Sequence, residues 1–221
     1  KRLIYANPLK TPEDIRDFRL EGQAEIRFSD EGMILENRLS PQEGQKANFV
    51  LWCDRIFPAD IRICWEFRPV REPGLAMLFF AATGINGKDI FDSSLKRREG
   101  IYDQYHHGDI NTFHLSYFRR KEPDERAFHT CNLRKSYGFH LVAQGADPIP
   151  AAADADRMYR LCIEKEGGKI RFLAEGMELL SLQDDGETFG PYLAAGRIGF
   201  RQLAPMVGIY SNLEHYACPI G

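Results

Sequence analysis

Residues Ile61–Val70 read I-R-I-C-W-E-F-R-P-V, with Ile61, Ile63, Trp65 and Phe67 on one parity and Arg62, Cys64, Glu66 and Arg68 on the other. Side chains two apart share a face of a strand, so this stretch is a strand with one dry face and one wet face. Shortly after, Gly74–Thr83 is apolar at both parities, as a strand in the middle of two packed layers would be. A helix would need apolar residues at intervals of three and four, and that period is nearly absent along the chain. The apolar side chains must therefore be buried between sheets.

Further short strands are expected at Phe18–Phe28, Gly32–Asn37 and Asn48–Cys53, separated by turn residues such as Ser29-Asp30-Glu31-Gly32. Met158–Glu166 and Lys169–Glu175 alternate around Gly167-Gly168, which reads as a tight hairpin. Gly196–Leu203 and Val207–Cys218 supply two more strands. Lys1–Asp17 reads as an entry arm with a helical turn capped by the Thr11 hydroxyl. Thr83–Glu99 is loop-like, and Pro123–Pro150 has no clean period but several aromatics, so it is expected to wrap the mouth of a groove. Many short strands with turns between them predict an all-β fold, two antiparallel sheets packed as a sandwich or jelly roll. The chain of 221 residues, 43% hydrophobic, is enough for a single domain spanning residues 1–221.

A net charge of -3 gives no global reason to bind nucleic acid or an anionic membrane. The longest apolar run, Leu75–Ala82, falls well short of the roughly 18 residues of a membrane span. The five cysteines, Cys53, Cys64, Cys131, Cys162 and Cys218, are odd in number and far apart. They read as small buried apolar residues rather than a disulfide framework or zinc site. Unpaired cysteines tilt the expectation toward a reducing, cytoplasmic compartment, while the start at Lys1 leaves a secreted or periplasmic location open.

Gly100–Arg120, G-I-Y-D-Q-Y-H-H-G-D-I-N-T-F-H-L-S-Y-F-R-R, holds three tyrosines, three histidines, a glutamine, an asparagine and two arginines. Read as two strands joined at Gly108-Asp109, it places Tyr102, Gln104 and His106 on one face, opposite Asp103, Tyr105 and His107. In the second strand His114, Ser116 and Arg120 lie opposite Phe113, Leu115 and Tyr117. One side suits a core; the other carries groups that hydrogen-bond, move protons or hold anions.

Tyr159–Lys165, Gly167–Phe172 and Gly196–Arg201 resemble the last strands of concanavalin A-like lectin/glucanase domains. More specifically, Gly87–Asp92, Arg98–Tyr102 and His114–Arg119 resemble the YesU-like domain-of-unknown-function family, over nearly the whole chain. That resemblance implies a concanavalin A-like sandwich associated with the use of polysaccharides, especially pectin-type ones. It carries over no catalytic residue.

Glycoside hydrolysis needs two carboxyl groups facing one another across the scissile bond. The E-x-D-x-x-E strand of concanavalin A-like glucanases does not occur here, and Glu164 and Glu166, beside the Gly167-Gly168 turn, read as a solvated hairpin face. Elimination from a uronate instead needs a neutral base, a proton donor for the leaving oxygen, and donors or cations around the carboxylate. The sequence offers His106 or His114 as base and Tyr102, Tyr105 or Tyr117 as acid. Gln104, Asn111, Arg119, Arg120, Arg126 and Arg134 are available for the carboxylate, with Tyr105 as a further binding residue. Gln104-Tyr105-His106 also resembles the Q-x-H strand of jelly-roll alginate lyases.

The expectation is thus a protein that acts on an acidic oligo- or polysaccharide, by β-elimination. The alternatives are a lectin-like module stacking sugars on Trp52, Trp65, Tyr102 or Tyr117, and a hydrolase built from nonadjacent carboxylates. No cofactor is expected. His106 and His107 diverge if they lie on a strand, which argues against a shared metal. Calcium on Asp147, Asp154 and Asp156 is the one cation that sandwiches of this kind suggest.

Overall fold

The alternating and the fully apolar stretches become the central strands of two opposed antiparallel sheets. In a computed structural model that describes residues 1–218, the strands in chain order are β1 (Arg2–Asn7), β2 (Arg19–Gly22), β3 (Ala24–Ser29), β4 (Gly32–Asn37), β5 (Phe49–Trp52), β6 (Ile61–Arg71), β7 (Leu75–Gly84), β8 (Ile110–Arg119), β9 (Thr130–Lys135), β10 (His140–Ala146), β11 (Tyr159–Glu166), β12 (Lys169–Ala174), β13 (Met177–Gln183), β14 (Arg197–Leu203) and β15 (Val207–Ala217). The first sheet runs β13-β12-β11-β6-β15-β4-β3, with β1 added beside β15. The second runs β10-β9-β8-β7-β14-β5-β2. Helix is confined to short turns, among them α1 (Asp103–His106) and α2 (Pro123–Ala127).

Between the sheets lies the main core. From β6 it takes Ile61, Ile63, Trp65 and Phe67, the parity expected to be dry, and across from them Ala76, Leu78 and Phe80 of β7 and Phe113, Leu115 and Tyr117 of β8. The other parity of the second sheet is apolar too. Val50, Trp52, Met77 and Phe79 point away from the main core and form a second cluster with Ile90 and Tyr105. Residues 85–107 supply that cover, so the sheet is buried on both faces. This is why β7 shows no alternation.

Several expectations change. Segment 123–150 is not irregular: it contains α2, β9 and β10. Within Gly100–Arg120 only the second half is a strand, because Tyr102–His106 closes a helical turn with Gln104 N donating to Ile101 O and His107 N to Asp103 O. Glu164 is buried rather than solvated, held by Lys1, Arg62 and Arg171. Cys64 and Cys162 stand directly opposite on β6 and β11 and form a disulfide, so only Cys53, Cys131 and Cys218 are free and buried. Pairing across neighbouring strands needs no sequence motif, since register alone brings the two together.

Candidate functional site

The α1 turn and the strand that follows it set the site. Gly100 has φ 91°, a left-handed conformation that favours glycine, and a Cβ there would meet Asn48 O at 2.0 Å. This close approach brings the chain across the outer face of the second sheet and turns Tyr102 inward. The Tyr102 hydroxyl lies 3.0 Å from His114 Nδ1, and His114 Nε2 lies 3.2 Å from Ser136 Oγ. Ser136 Oγ also accepts the Thr112 N–H and reaches the carbonyls of Tyr105 and Thr112. The hydroxyl proton serves a carbonyl, so His114 donates from Nε2 and accepts the Tyr102 proton at Nδ1. Burial pushes the Tyr102 phenol up to about 12 and holds His114 well below the usual histidine range. Both groups are neutral near pH 7, and burial opposes proton transfer between them.

Around this pair, His114 buried and Tyr102 partly exposed, stands a ledge of rings. His106 packs edge-on to Tyr102 at 4.7 Å and lies 5.1 Å from Phe139. Phe139 meets Tyr102 at 5.6 Å, and Tyr137 meets His107 at 5.2 Å. Tyr137 and Phe139 are 57% and 46% exposed, so the ledge opens to solvent. Arg134, paired in register with His114, lays its guanidinium 3.7 Å from the Phe139 ring centroid and donates to Phe139 O. Beneath, Arg201 is buried; it donates to Gly100 O at 2.7 Å and Gln45 Oε1 at 3.2 Å, and stacks 4.9 Å from Tyr102. Among the described residues both arginines donate only to neutral acceptors. Burial, with the guanidiniums of Arg201 and Arg134 among the further causes, lowers the His106 pKa, so it too is neutral near pH 7.

Of the residues expected to act together, Tyr102, His106, His114 and Arg134 converge. Gln104 lies on the same turn, where its Oε1 accepts the Glu99 N–H. Tyr105 is fully buried between Trp52 and Phe79, and its hydroxyl donates to Glu21 at 3.0 Å; it anchors the turn and presents nothing to a ligand. Glu21 also accepts from Trp52 Nε1 and from Arg98, and Trp52 is fully buried, which closes it to sugar stacking.

The rest lie elsewhere. Tyr117 is in the main core against Trp65 and Phe67, and burial raises its hydroxyl pKa. Met77 pairs with Ser116 and Ala76 with Phe118, so Tyr117 is the extra residue of a β-bulge. The bulge reverses the parity beyond it, and Arg120 therefore leaves the face of His114. Arg120 is buried against Asp147 at 2.6 Å and Ile149 O, which also occupies the aspartate offered to calcium with Asp154 and Asp156. Arg119 bonds Thr130 and Glu125. Arg126 lines a separate cleft with Glu72 and His129. Asn111 shares the parity of Phe113 and leaves a buried Oδ1 without a partner.

Sequence reasoning missed Arg201, Phe139, Tyr137, Ser136 and Gln45. One signal was present: in β14, Ile198 and Phe200 are core residues, and Arg197 and Arg201 sit on the other parity.

Two antiparallel sheets with this order define a galectin-like, concanavalin A-like β-sandwich. The chain belongs to the family described as domain of unknown function DUF1961, whose model matches residues 2–215. It is 51% identical over 209 residues to the uncharacterized protein YesU of Bacillus subtilis (strain 168), covering 95% of this chain and 93% of that protein. A crystal structure of a Bacillus subtilis protein of unknown function with a galectin-like fold matches with TM-score 0.94 and 49% identity, over 98% of this chain and 96% of the other. The carbohydrate recognition domain of Emp47p matches with TM-score 0.62 and 12% identity, over 99% and 98% of the two chains, a likeness of fold alone. No helix among the described residues is long and apolar enough to cross a membrane.

Proposed function

We propose that this protein binds an acidic oligo- or polysaccharide on the ledge of Tyr102, His106, Tyr137, Phe139 and Arg134. The observation that carries this is the pairing of exposed rings with the accessible guanidinium of Arg134, which meets no carboxylate, above the buried and likewise unneutralised Arg201. Exposed aromatic faces stack on the C–H faces of sugar rings, and an unneutralised arginine prefers a ligand that brings its own negative charge. That a fold neighbour is a carbohydrate recognition domain supports the sugar class.

A binding role fits the site better than acid–base turnover. The Tyr102 hydroxyl is already committed to the buried His114, whereas a catalytic acid must reach the leaving oxygen. One observation favours β-elimination as a second reading: His106 is half-exposed and neutral near pH 7, as a base beside a uronate must be. Calorimetry on pectic, alginate and neutral oligosaccharides tests both readings. Saturable binding of uronate oligomers, weakened in Arg134→Ala, is expected. New ultraviolet absorbance from an unsaturated sugar would move the reading to elimination, and silence toward every saccharide would sink it.

A further inference from the structure

Asp103 and His106 are the first and last residues of the α1 turn and His107 caps its C-terminus, three and four positions after Asp103, a spacing that brings side chains to one face. His106 Nδ1 and His107 Nδ1 lie 2.5 Å apart. Asp103 Oδ1 is 3.9 Å from His107 Nδ1, and one ligand atom from each residue falls within 4.8 Å of the others. At their 2.5 Å separation only a proton fits between the two ring nitrogens, so a cation needs the rings to part. Donors around a tetrahedral ion held at about 2.1 Å stand roughly 3.4 Å apart, so an opening of about 1 Å between the two ring nitrogens seats one ion. The strand expectation, in which these histidines diverge, fails because the chain is helical here. Had they lain on a strand, the pair could not meet.

We propose that Asp103, His106 and His107 bind a divalent transition metal of the zinc class. Two imidazoles and one carboxylate suit such ions, whereas calcium takes a shell of oxygens. Three protein ligands leave a position open to water or to another oxygen donor. His106 also packs on Tyr102 and Phe139, so that position adjoins the ledge. Metal binding does not depend on the saccharide reading, since the three donors belong to the protein.

The test uses tagless, chelator-treated protein titrated with Zn2+ by calorimetry and with Co2+ by visible absorption. One ion per chain is expected, with ligand-field bands for Co2+. Removing outer partners of metal ligands already costs about tenfold or more, so Asp103→Asn should weaken Zn2+ at least that much and His107→Ala should abolish the site. His129→Ala, outside the turn, should bind as the parent does. Circular dichroism checks that each variant is folded. Absence of saturable binding to the parent, or equal binding by folded His107→Ala, overturns the proposal. Neither result bears on saccharide binding, which is measured separately in chelator.

Discussion

The Tyr102 hydroxyl gives its proton to Nδ1 of a wholly buried histidine, His114. This ties the covering turn to β8 of the second sheet. Tyr102→Phe keeps the ring but leaves Nδ1 buried without a donor, which costs about 1–3 kcal/mol. Urea unfolding should show that loss while saccharide affinity stays near that of the parent. An unchanged midpoint would mean that water replaces the hydroxyl.

Phe139 and Arg134 stack at 3.7 Å on the open side of the ledge. Phe139→Ala removes an exposed ring, so stability should hold and affinity for a uronate oligosaccharide should fall about tenfold. Calorimetry reads the affinity, and equal binding by the variant would place the ligand elsewhere.

Arg120 and Asp147 form an ion pair with both side chains almost wholly buried. Arg120→Met strands the carboxylate, with an expected loss of about 3–5 kcal/mol, and adding Asp147→Leu should recover most of it. Chemical denaturation of the single and double variants checks this. A double variant less stable than the single one would contradict it.

His215 stacks on Tyr5 at 4.9 Å and meets Phe57 edge-on at 3.8 Å, with neither ring nitrogen hydrogen-bonded. Burial, with Arg55 nearby, pushes its pKa down to about 3. The unfolded chain takes up this proton near pH 6.5. Between those values the unfolded state holds the extra proton, so stability rises with pH and is lost as pH falls below about 6.5. The slope from this residue reaches about 1.4 kcal/mol per pH unit. Unfolding midpoints at about pH 7 and about pH 4.5 should show a shallower fall for His215→Phe; identical falls would refute the assignment.

What could be read beforehand follows from how far the signal extends. Alternation over Ile61–Phe67 and the Gly167-Gly168 turn are local patterns, and they located β6 and the β11–β12 hairpin. The α1 turn is only four residues long, too short for a helical period, and its tyrosine and histidines suit strands equally well. The bulge at Tyr117 depends on pairing with β7, which one strand's sequence does not encode. Arg201 and Gln45 reach Tyr102 through strand order, with β5 beside β14. Their separation along the chain hides the meeting. His106 and Arg134 were legible as residue types, but which arginines remain unneutralised depends on Asp147 and Glu125 claiming the others.

Residues 85–107 lie over Trp52, Met77 and Phe79, so the chain fills with its own side chains the trough that an uncovered curved sheet would present. A polymer therefore finds no lengthwise channel along the second sheet. The exposed rings of Tyr137 and Phe139 lie in the β9–β10 connection, so a saccharide bound as proposed would approach the sheet from that side rather than across its middle.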